Sequence, residues 1–97
     1  MSSPIEIHPE AATEVQAAYA WYQQRNPSVA AAFLAEVDRA ISQISEFPDR
    51  WPRFKRGTRR FILHKFPFLV VYRKSGGIIQ VVAIAHGRRR PDYWKSR

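Results

Sequence analysis

Residues 66–86 read FPFLVVYRKSGGIIQVVAIAH, and this stretch decides the fold. It contains two runs rich in β-branched and aromatic residues, Phe68–Lys74 and Ile78–His86, on either side of Ser75-Gly76-Gly77. Because glycine readily adopts the positive φ of a tight hairpin turn, the stretch predicts two antiparallel strands. Phe66-Pro67 separates this hairpin from the chain before it, since proline cannot donate to a central ladder.

A third strand is predicted directly upstream, over Thr58–Lys65. Successive side chains of a strand point to opposite faces, so Phe61 and Leu63 share one face while Arg60 and His64 share the other. The two apolar residues are expected in the core. Arg60 and His64 are therefore expected on the open face of the sheet.

The N-terminal half is predicted to form a short strand and two helices. Ile5–Ile7 is consistent with the strand, and Pro9 suits the first turn of the helix that follows. Apolar residues then recur at helical spacing over Glu10–Gln24, and again from Asn26-Pro27 to near Phe47-Pro48. With Asn26 as N-cap and Pro27 as first helical residue, almost no linker remains, so the helices should form an antiparallel hairpin.

These elements predict a single α+β domain over residues 1–97 with the order β-α-α-β-β-β. The helical hairpin should pack on one face of a small, mainly antiparallel sheet. The other face, a loop at residues 48–57 and a tail at residues 87–97 should then carry most of the basic residues.

Composition excludes several classes of chemistry. The chain has no cysteine, which removes thiolate catalysis, disulfides and cysteine zinc sites. Its three histidines lack metal-ligand spacing, and His8 and His64 have no motif partners and are interpreted as structural. We expect no metal and no cofactor.

No apolar stretch approaches the ~20 residues of a membrane-spanning helix, and no leader pattern is present, so a cytoplasmic protein without a membrane partner is expected.

The charge is distributed unevenly. The net charge is +8, yet residues 1–48 carry six acidic and two basic side chains, whereas residues 49–97 carry fourteen basic and two acidic ones. Such a field attracts a nucleic acid, an anionic membrane surface or an acidic protein. Composition alone does not choose among these partners.

The tail is the most informative segment, with Arg88, Arg89 and Arg90 followed by Tyr93-Trp94. Guanidinium groups pair with phosphate or carboxylate, and aromatic rings stack on bases. The alternative is that the two rings cap the core while the arginines are solvated. The full predicted target-binding set is Arg60, Arg73, Arg88, Arg89, Arg90, Tyr93 and Trp94.

Two further features admit both a functional and a structural interpretation. His86 ends an apolar strand and is either a general base or a histidine that fixes the turn. Trp21 and Tyr22 lie beside the apolar stripe of the first helix, where they form either a docking point for a partner or part of the core.

Four motifs carry a family resemblance: Phe47-Pro48 with Trp51-Pro52, Phe66–Arg73, Val82–Arg89, and Pro91 with Tyr93-Trp94. Together with the predicted layout, they resemble the RelE/ParE superfamily of toxins over nearly the whole chain. The resemblance implies a toxin of a type II toxin–antitoxin pair, held silent in a hetero-oligomer by a small antitoxin that is often acidic. The charge asymmetry suits such a pairing.

The superfamily divides by target, and the resemblance implies different residues for each branch. RelE-like members are ribosome-dependent ribonucleases that cut mRNA with basic residues on the first long strands, an arginine after the last strand and a tail tyrosine. Ile62 and Leu69 stand where a lysine and an arginine would be expected, and Trp94 stands where the tyrosine would be. If the chain is a nuclease, its candidate residues are Arg60, His86, Arg88 and Tyr93.

ParE-like members lack that set and inhibit DNA gyrase by binding, which requires no catalytic residue. The apolar Ile62 and Leu69, together with His86-Gly87-Arg88, favour this branch. The first hypothesis is therefore a ParE-like gyrase inhibitor, the second a RelE-like nuclease acting on ribosome-bound mRNA, and the third a non-toxic nucleic-acid-binding domain.

Overall fold

Two long helices and four strands make up the computed structural model, which describes residues 2–90 and 92–97. The elements are β1 (Ile5–Ile7), α1 (Pro9–Arg25), α2 (Pro27–Glu46), β2 (Arg59–Ile62), β3 (Phe68–Ser75) and β4 (Ile78–His86), with a 3-10 turn at Lys55–Gly57. This sequence of elements confirms the predicted β-α-α-β-β-β order. Pro91, which belongs to the tail motif, lies outside the described residues. Neither helix within residues 2–90 is both long and apolar enough to cross a membrane.

The four strands form one sheet in the order β1-β4-β3-β2. β3 pairs antiparallel with both β2 and β4, and β1 pairs parallel with β4, so the sheet is mainly antiparallel as predicted. The pairing of β1 extends only from Ile79 to Val81 of β4. Within the described residues, the second half of β4 therefore pairs with β3 on one side but has no strand on the side of β1.

Asn26 makes the connection between the helices as short as the sequence predicts. Its backbone N–H donates to the Tyr22 carbonyl at 2.7 Å and ends α1, while its side chain accepts from the Ser28 N–H at 3.0 Å and begins α2. His8 caps α1 in the same way, since its Nδ1 accepts from the Glu10 N–H at 3.1 Å. The structural interpretation of His8 is confirmed.

The helices pack on one face of the sheet, which we call the helix-covered face. Phe61 and Leu63 lie in this core, as their alternation predicts. The aromatic rings of Tyr22, Phe33 and Phe66 meet with centroids 5.2–5.4 Å apart. The largest fully buried side chains of this core are Tyr72, Phe33, Ile44, Ile79, Ile84, Val70 and Val81.

The opposite face is not open, which corrects the sequence-based expectation. The tail folds back so that Trp94, only 3% exposed, stacks on Phe54 at 5.5 Å and covers a second apolar cluster. We call this the tail-covered face. A bulge in β4 shifts the register after Val71, so that the consecutive Val82 and Ala83 both join this cluster. Burying this apolar surface under the tail favours closure over an exposed basic sheet.

β2 ends at Ile62, three residues before the predicted end at Lys65. The Glu36 carboxylate on α2 accepts hydrogen bonds from the backbone N–H groups of His64 and Lys65, the latter at 3.1 Å. These bonds draw the chain out of the ladder. His64 therefore contributes its backbone to a helix–turn contact. Its side chain is exposed but lies beyond the end of β2, so the expectation that it occupies the open face of the sheet is wrong.

Candidate functional site

The arginine turn, Arg88–Arg90, follows β4 after Gly87 and is exposed. His86 fixes it, because its Nδ1 accepts from the Arg88 N–H at 3.1 Å and its carbonyl accepts from the Arg89 N–H at 3.0 Å. The adjacent Gly87 N–H donates to the Pro67 carbonyl at 2.8 Å. These contacts favour the turn-fixing interpretation of His86.

Glu14 on α1 is the polar centre that joins the tail to the rest of the molecule. Its carboxylate accepts from both terminal nitrogens of Arg97, at 3.0 and 3.1 Å, and from the Tyr93 hydroxyl at 2.5 Å. The side chains of Glu14 and Arg97 are only 14% and 13% exposed. A pair this sheltered is screened far less by solvent than a surface ion pair.

The same two side chains also complete the edge of β4 beyond β1. The Ile84 N–H donates to Glu14 at 2.9 Å, and Arg97 donates to the Val82 carbonyl at 3.1 Å. Buried backbone polar groups require such partners. Glu14 and Arg97 thus replace the hydrogen bonds that a longer β1 would have supplied.

Tyr93 is held in its neutral form. Burial raises the pKa of Tyr93 well above its ordinary value, and the hydrogen bond to Glu14 raises it further, against smaller opposing effects of Arg89 and Arg97. Burial alone would lower the pKa of Arg97, but its bonds to Glu14 raise it overall. The Tyr93 ring packs near two guanidinium groups, 3.9 Å from that of Arg89 and 5.1 Å from that of Arg97. Tyr93 is therefore a structural link between the tail and α1.

Three residues of the predicted target-binding set hold the tail-covered face together. Trp94 is sealed inside it, so the expectation that this ring offers a stacking surface is wrong. Arg60 is half-buried, with its guanidinium 5.0 Å from the centre of the Phe54 ring. Arg73 donates to Gln80 Oε1 at 2.6 and 3.0 Å and to the Arg97 carbonyl at 3.0 Å.

The four nuclease candidates do not come together. Arg60 packs on the tail-covered face, whereas the His86 ring lies 5.2 Å from Phe68 on the helix-covered side of the sheet. Tyr93 is committed to Glu14. Two arginines of the turn stay free, since among residues 2–90 and 92–97 no carboxylate lies within 4.0 Å of Arg88 or Arg90, whereas Arg89 lies 3.9 Å from Glu14.

A groove of about 470 Å³ runs between α1 and the end of the sheet that bears the arginine turn. Trp21, 53% exposed, stands at its side with the Arg25 guanidinium stacked 3.6 Å from its ring centre. Tyr22 also lines the groove, but it is half-buried and packs on Phe33, so both interpretations of Tyr22 hold in part. The groove is lined by Glu14, Ala17, Ala18, Trp21, Tyr22, Pro67, Phe68, Ile84, His86 and Arg89.

Sequence reasoning missed Glu14 and Arg97. A signal for Glu14 was present, because it lies three residues after Ala11 and four before Ala18, on the stripe of α1 that faces the core. An acidic residue on a buried stripe requires a partner. Nothing local identifies that partner as Arg97, which lies 83 positions away.

Comparison with known proteins places this geometry in context. Residues 5–91 match the family model described as the ParE toxin of the type II toxin–antitoxin system parDE. Nine chains of solved structures also match; one is titled the chromosomal ParDE TA system from P. aeruginosa. That match has a TM-score of 0.78 and 20% identity, and it covers 88% of this chain and 96% of the other. At this identity the likeness shows the fold. A comparison with curated proteins gave no match.

Proposed function

The chain belongs to the ParE toxin family of type II toxin–antitoxin systems, and from this premise we propose that it inhibits DNA gyrase by binding. The observation that carries the proposal is that Arg60 and His86 lie on opposite faces of the sheet while the Tyr93 hydroxyl is engaged by Glu14. Cleavage of RNA requires a base, an acid and charge stabilisation around one phosphate. Side chains that lie on opposite faces of a sheet, or are engaged by Glu14, do not meet that requirement. Inhibition by binding has no such requirement.

The arginine turn is the proposed gyrase-binding element. It is exposed, it leaves β4 on a backbone fixed by His86, and two of its three guanidinium groups have no carboxylate nearby in the described parts of the chain. Arginine is favoured at protein interfaces because its planar group pairs with carboxylates and stacks on rings. The Tyr93 ring supports the turn because it packs 3.9 Å from the Arg89 guanidinium.

The groove beside α1 is the proposed docking site of an acidic antitoxin. It is largely apolar and has Trp21 at one side and Arg89 at another, so it suits a segment that combines apolar anchors with acidic residues. An antitoxin seated there would lie next to the arginine turn. Occlusion of that turn would explain how one partner silences the toxin.

Induced expression followed by assays on purified components tests the proposal. We expect growth arrest, and we expect the purified protein to block supercoiling of relaxed plasmid by gyrase while leaving translated mRNA intact. Cleavage of mRNA within codons on ribosomes would instead support the nuclease hypothesis. Absence of growth arrest from a folded protein would contradict both toxin hypotheses.

A charge-matched pair of variants locates the binding surface. Replacing both Arg88 and Arg90 by glutamine should weaken gyrase inhibition by at least about tenfold, the loss expected for two interface arginines. The control carries Arg39→Gln and Lys65→Gln, which remove the same charge from exposed positions elsewhere. Equal inhibition by the two double variants would exclude the arginine turn as the gyrase-binding element.

A further inference from the structure

A second cavity, of about 400 Å³, lies at the end of β3 remote from the arginine turn. It opens between the loop before β2 and the last residues of β3. Four basic side chains and one acidic side chain line it, whereas the α1 groove is mostly apolar. The full lining is Asp49, Arg53, Phe54, Gly57, Thr58, Arg59, Tyr72, Arg73 and Lys74.

The backbone places two of these arginines directly opposite each other. Arg53 and Arg59 form an isolated antiparallel bridge, which is held by a hydrogen bond from the Phe54 N–H to the Thr58 carbonyl at 2.8 Å. Opposed residues in such a bridge have neighbouring side chains, and like charges placed this way destabilise each other. No carboxylate within the described residues lies within 4.0 Å of either guanidinium group. An anion between them would relieve the repulsion.

One of the two opposed arginines is fixed in place before any ligand arrives, because Arg59 donates to the Trp51 carbonyl at 2.7 Å. This bond uses part of the guanidinium group and leaves other N–H donors for a ligand. Arg73 is already engaged by Gln80 and the Arg97 carbonyl on the tail-covered face, so the donors of the site are Arg53, Arg59 and Lys74. Donors that are already ordered lose less conformational entropy on binding.

The other charged side chains of the cavity and the edge of β3 contribute to the same site. Asp49 is the one acidic side chain among the described residues that line the cavity; it lies 3.3 Å from Lys74, but both partners are well exposed, so the pair is weak. β2 begins opposite Tyr72, so within residues 2–90 and 92–97 no strand residue pairs with Lys74 on the β2 side of β3. Because hydrogen-bonding groups alternate along an antiparallel strand, the Lys74 N–H points toward this edge of β3. It provides a backbone donor near the basic side chains.

We propose that this arginine cavity binds a phosphate group. A tetrahedral oxyanion accepts hydrogen bonds from several directions at once, which suits donors converging from a loop and a strand edge. The proposal does not rest on gyrase inhibition, because it uses residues at the other end of β3. Two sources supply this chemistry, a free nucleotide and the backbone of a nucleic acid.

Amide NMR titration with inorganic pyrophosphate at constant ionic strength tests the site. We expect saturable shifts centred on Gly57, Thr58 and Lys74. Arg53→Gln, at an exposed position, should weaken binding by about tenfold, the effect of one charge-assisted hydrogen bond. Arg39→Gln and Arg90→Gln remove the same charge outside the cavity and should change the affinity less than about twofold.

Equal weakening by Arg53→Gln and Arg90→Gln, or shifts centred on the arginine turn, would overturn the proposal. So would shifts that grow linearly without saturation. Repeating the titration with ATP and with a short DNA duplex separates the two sources. The natural class of ligand is the one that binds more tightly and whose binding is weakened by Arg53→Gln. A protein that binds pyrophosphate here yet fails to inhibit gyrase would leave this inference intact.

Discussion

The two faces of the sheet are stabilised in different ways. The helix-covered face is held by large apolar side chains of two long helices, with Phe33 and Ile44 fully buried. The tail-covered face has a smaller apolar cluster, in which Trp94 stacks on Phe54, and the tail is held over it by polar bonds that converge on Glu14. Apolar burial is spread over many contacts, whereas the tail depends on a few directional bonds. The first face therefore specifies the fold, and the second fixes the position of the arginine turn.

The largest expected effect comes from the helix-covered face. Phe33→Ala should lower the free energy of unfolding by about 3–5 kcal/mol, because it leaves a cavity among Tyr22, Phe66 and Phe68. Urea unfolding followed by circular dichroism measures it. Ile62→Ala, at a side chain that is 61% exposed, is the control and should change stability by less than about 0.5 kcal/mol. Similar losses in the two variants would contradict this account of the core.

A smaller effect is expected from breaking the polar centre of the tail. Glu14→Gln keeps the size of the side chain but leaves the Arg97 guanidinium without its counter-charge, at an expected cost of about 2–3 kcal/mol. Urea unfolding measures the cost, and Glu10→Gln on the same helix provides an exposed control. The double variant Glu14→Gln, Arg97→Gln should lose less stability than the sum of the two single variants, since each removes the same pair. Strict additivity would show that the pair contributes nothing.

Tyr93→Phe should cost about 1.5–2 kcal/mol near neutral pH, the lower part of the range for a hydrogen bond to a charged group. Its pH dependence is more diagnostic. The pKa of Tyr93 is raised in the folded state above its ordinary value of 10.0, so above about pH 10 the unfolded chain releases this proton while the folded chain retains it. Wild-type stability should therefore fall faster than that of Tyr93→Phe as pH rises above about 10. Parallel curves would refute the raised pKa.

The smallest effect concerns the indole N–H of Trp94, which is buried without a hydrogen-bond partner in the described part of the chain. Trp94→Phe buries less apolar ring area, which lowers the free energy of unfolding. It also removes the unsatisfied N–H donor, which raises that free energy, so the two effects offset each other. We expect a loss of less than about 1.5 kcal/mol by thermal or urea unfolding. Trp94→Leu, which lacks a ring to stack on Phe54, should be clearly less stable than Trp94→Phe. Equal stability of these two variants would show that stacking has no role there.

Local patterns predicted the elements well and the site incompletely. The hairpin at Gly76-Gly77, the cap at Asn26 and the core positions Phe61 and Leu63 follow from turn chemistry, capping and alternation, and each is present in the structure. The end of β2 was misplaced because Glu36, 28 positions from His64, competes for the backbone. The local pattern around Trp94 does not distinguish a surface ring from a core ring, because a ring beside basic residues suits either, and the structure buries it.

The sequence by itself determined the order of the elements, the short helical hairpin, the excess of basic residues in the second half and the family resemblance. These depend on residues that are neighbours along the chain, or on composition. Only the tertiary structure decided that the tail closes over the second face, that Glu14 binds Arg97 and Tyr93, and that Arg53 and Arg59 oppose each other beside Arg73. Contacts between distant residues depend on where the backbone returns, and many side chains compete for each position. The pattern around any one residue does not identify its partner.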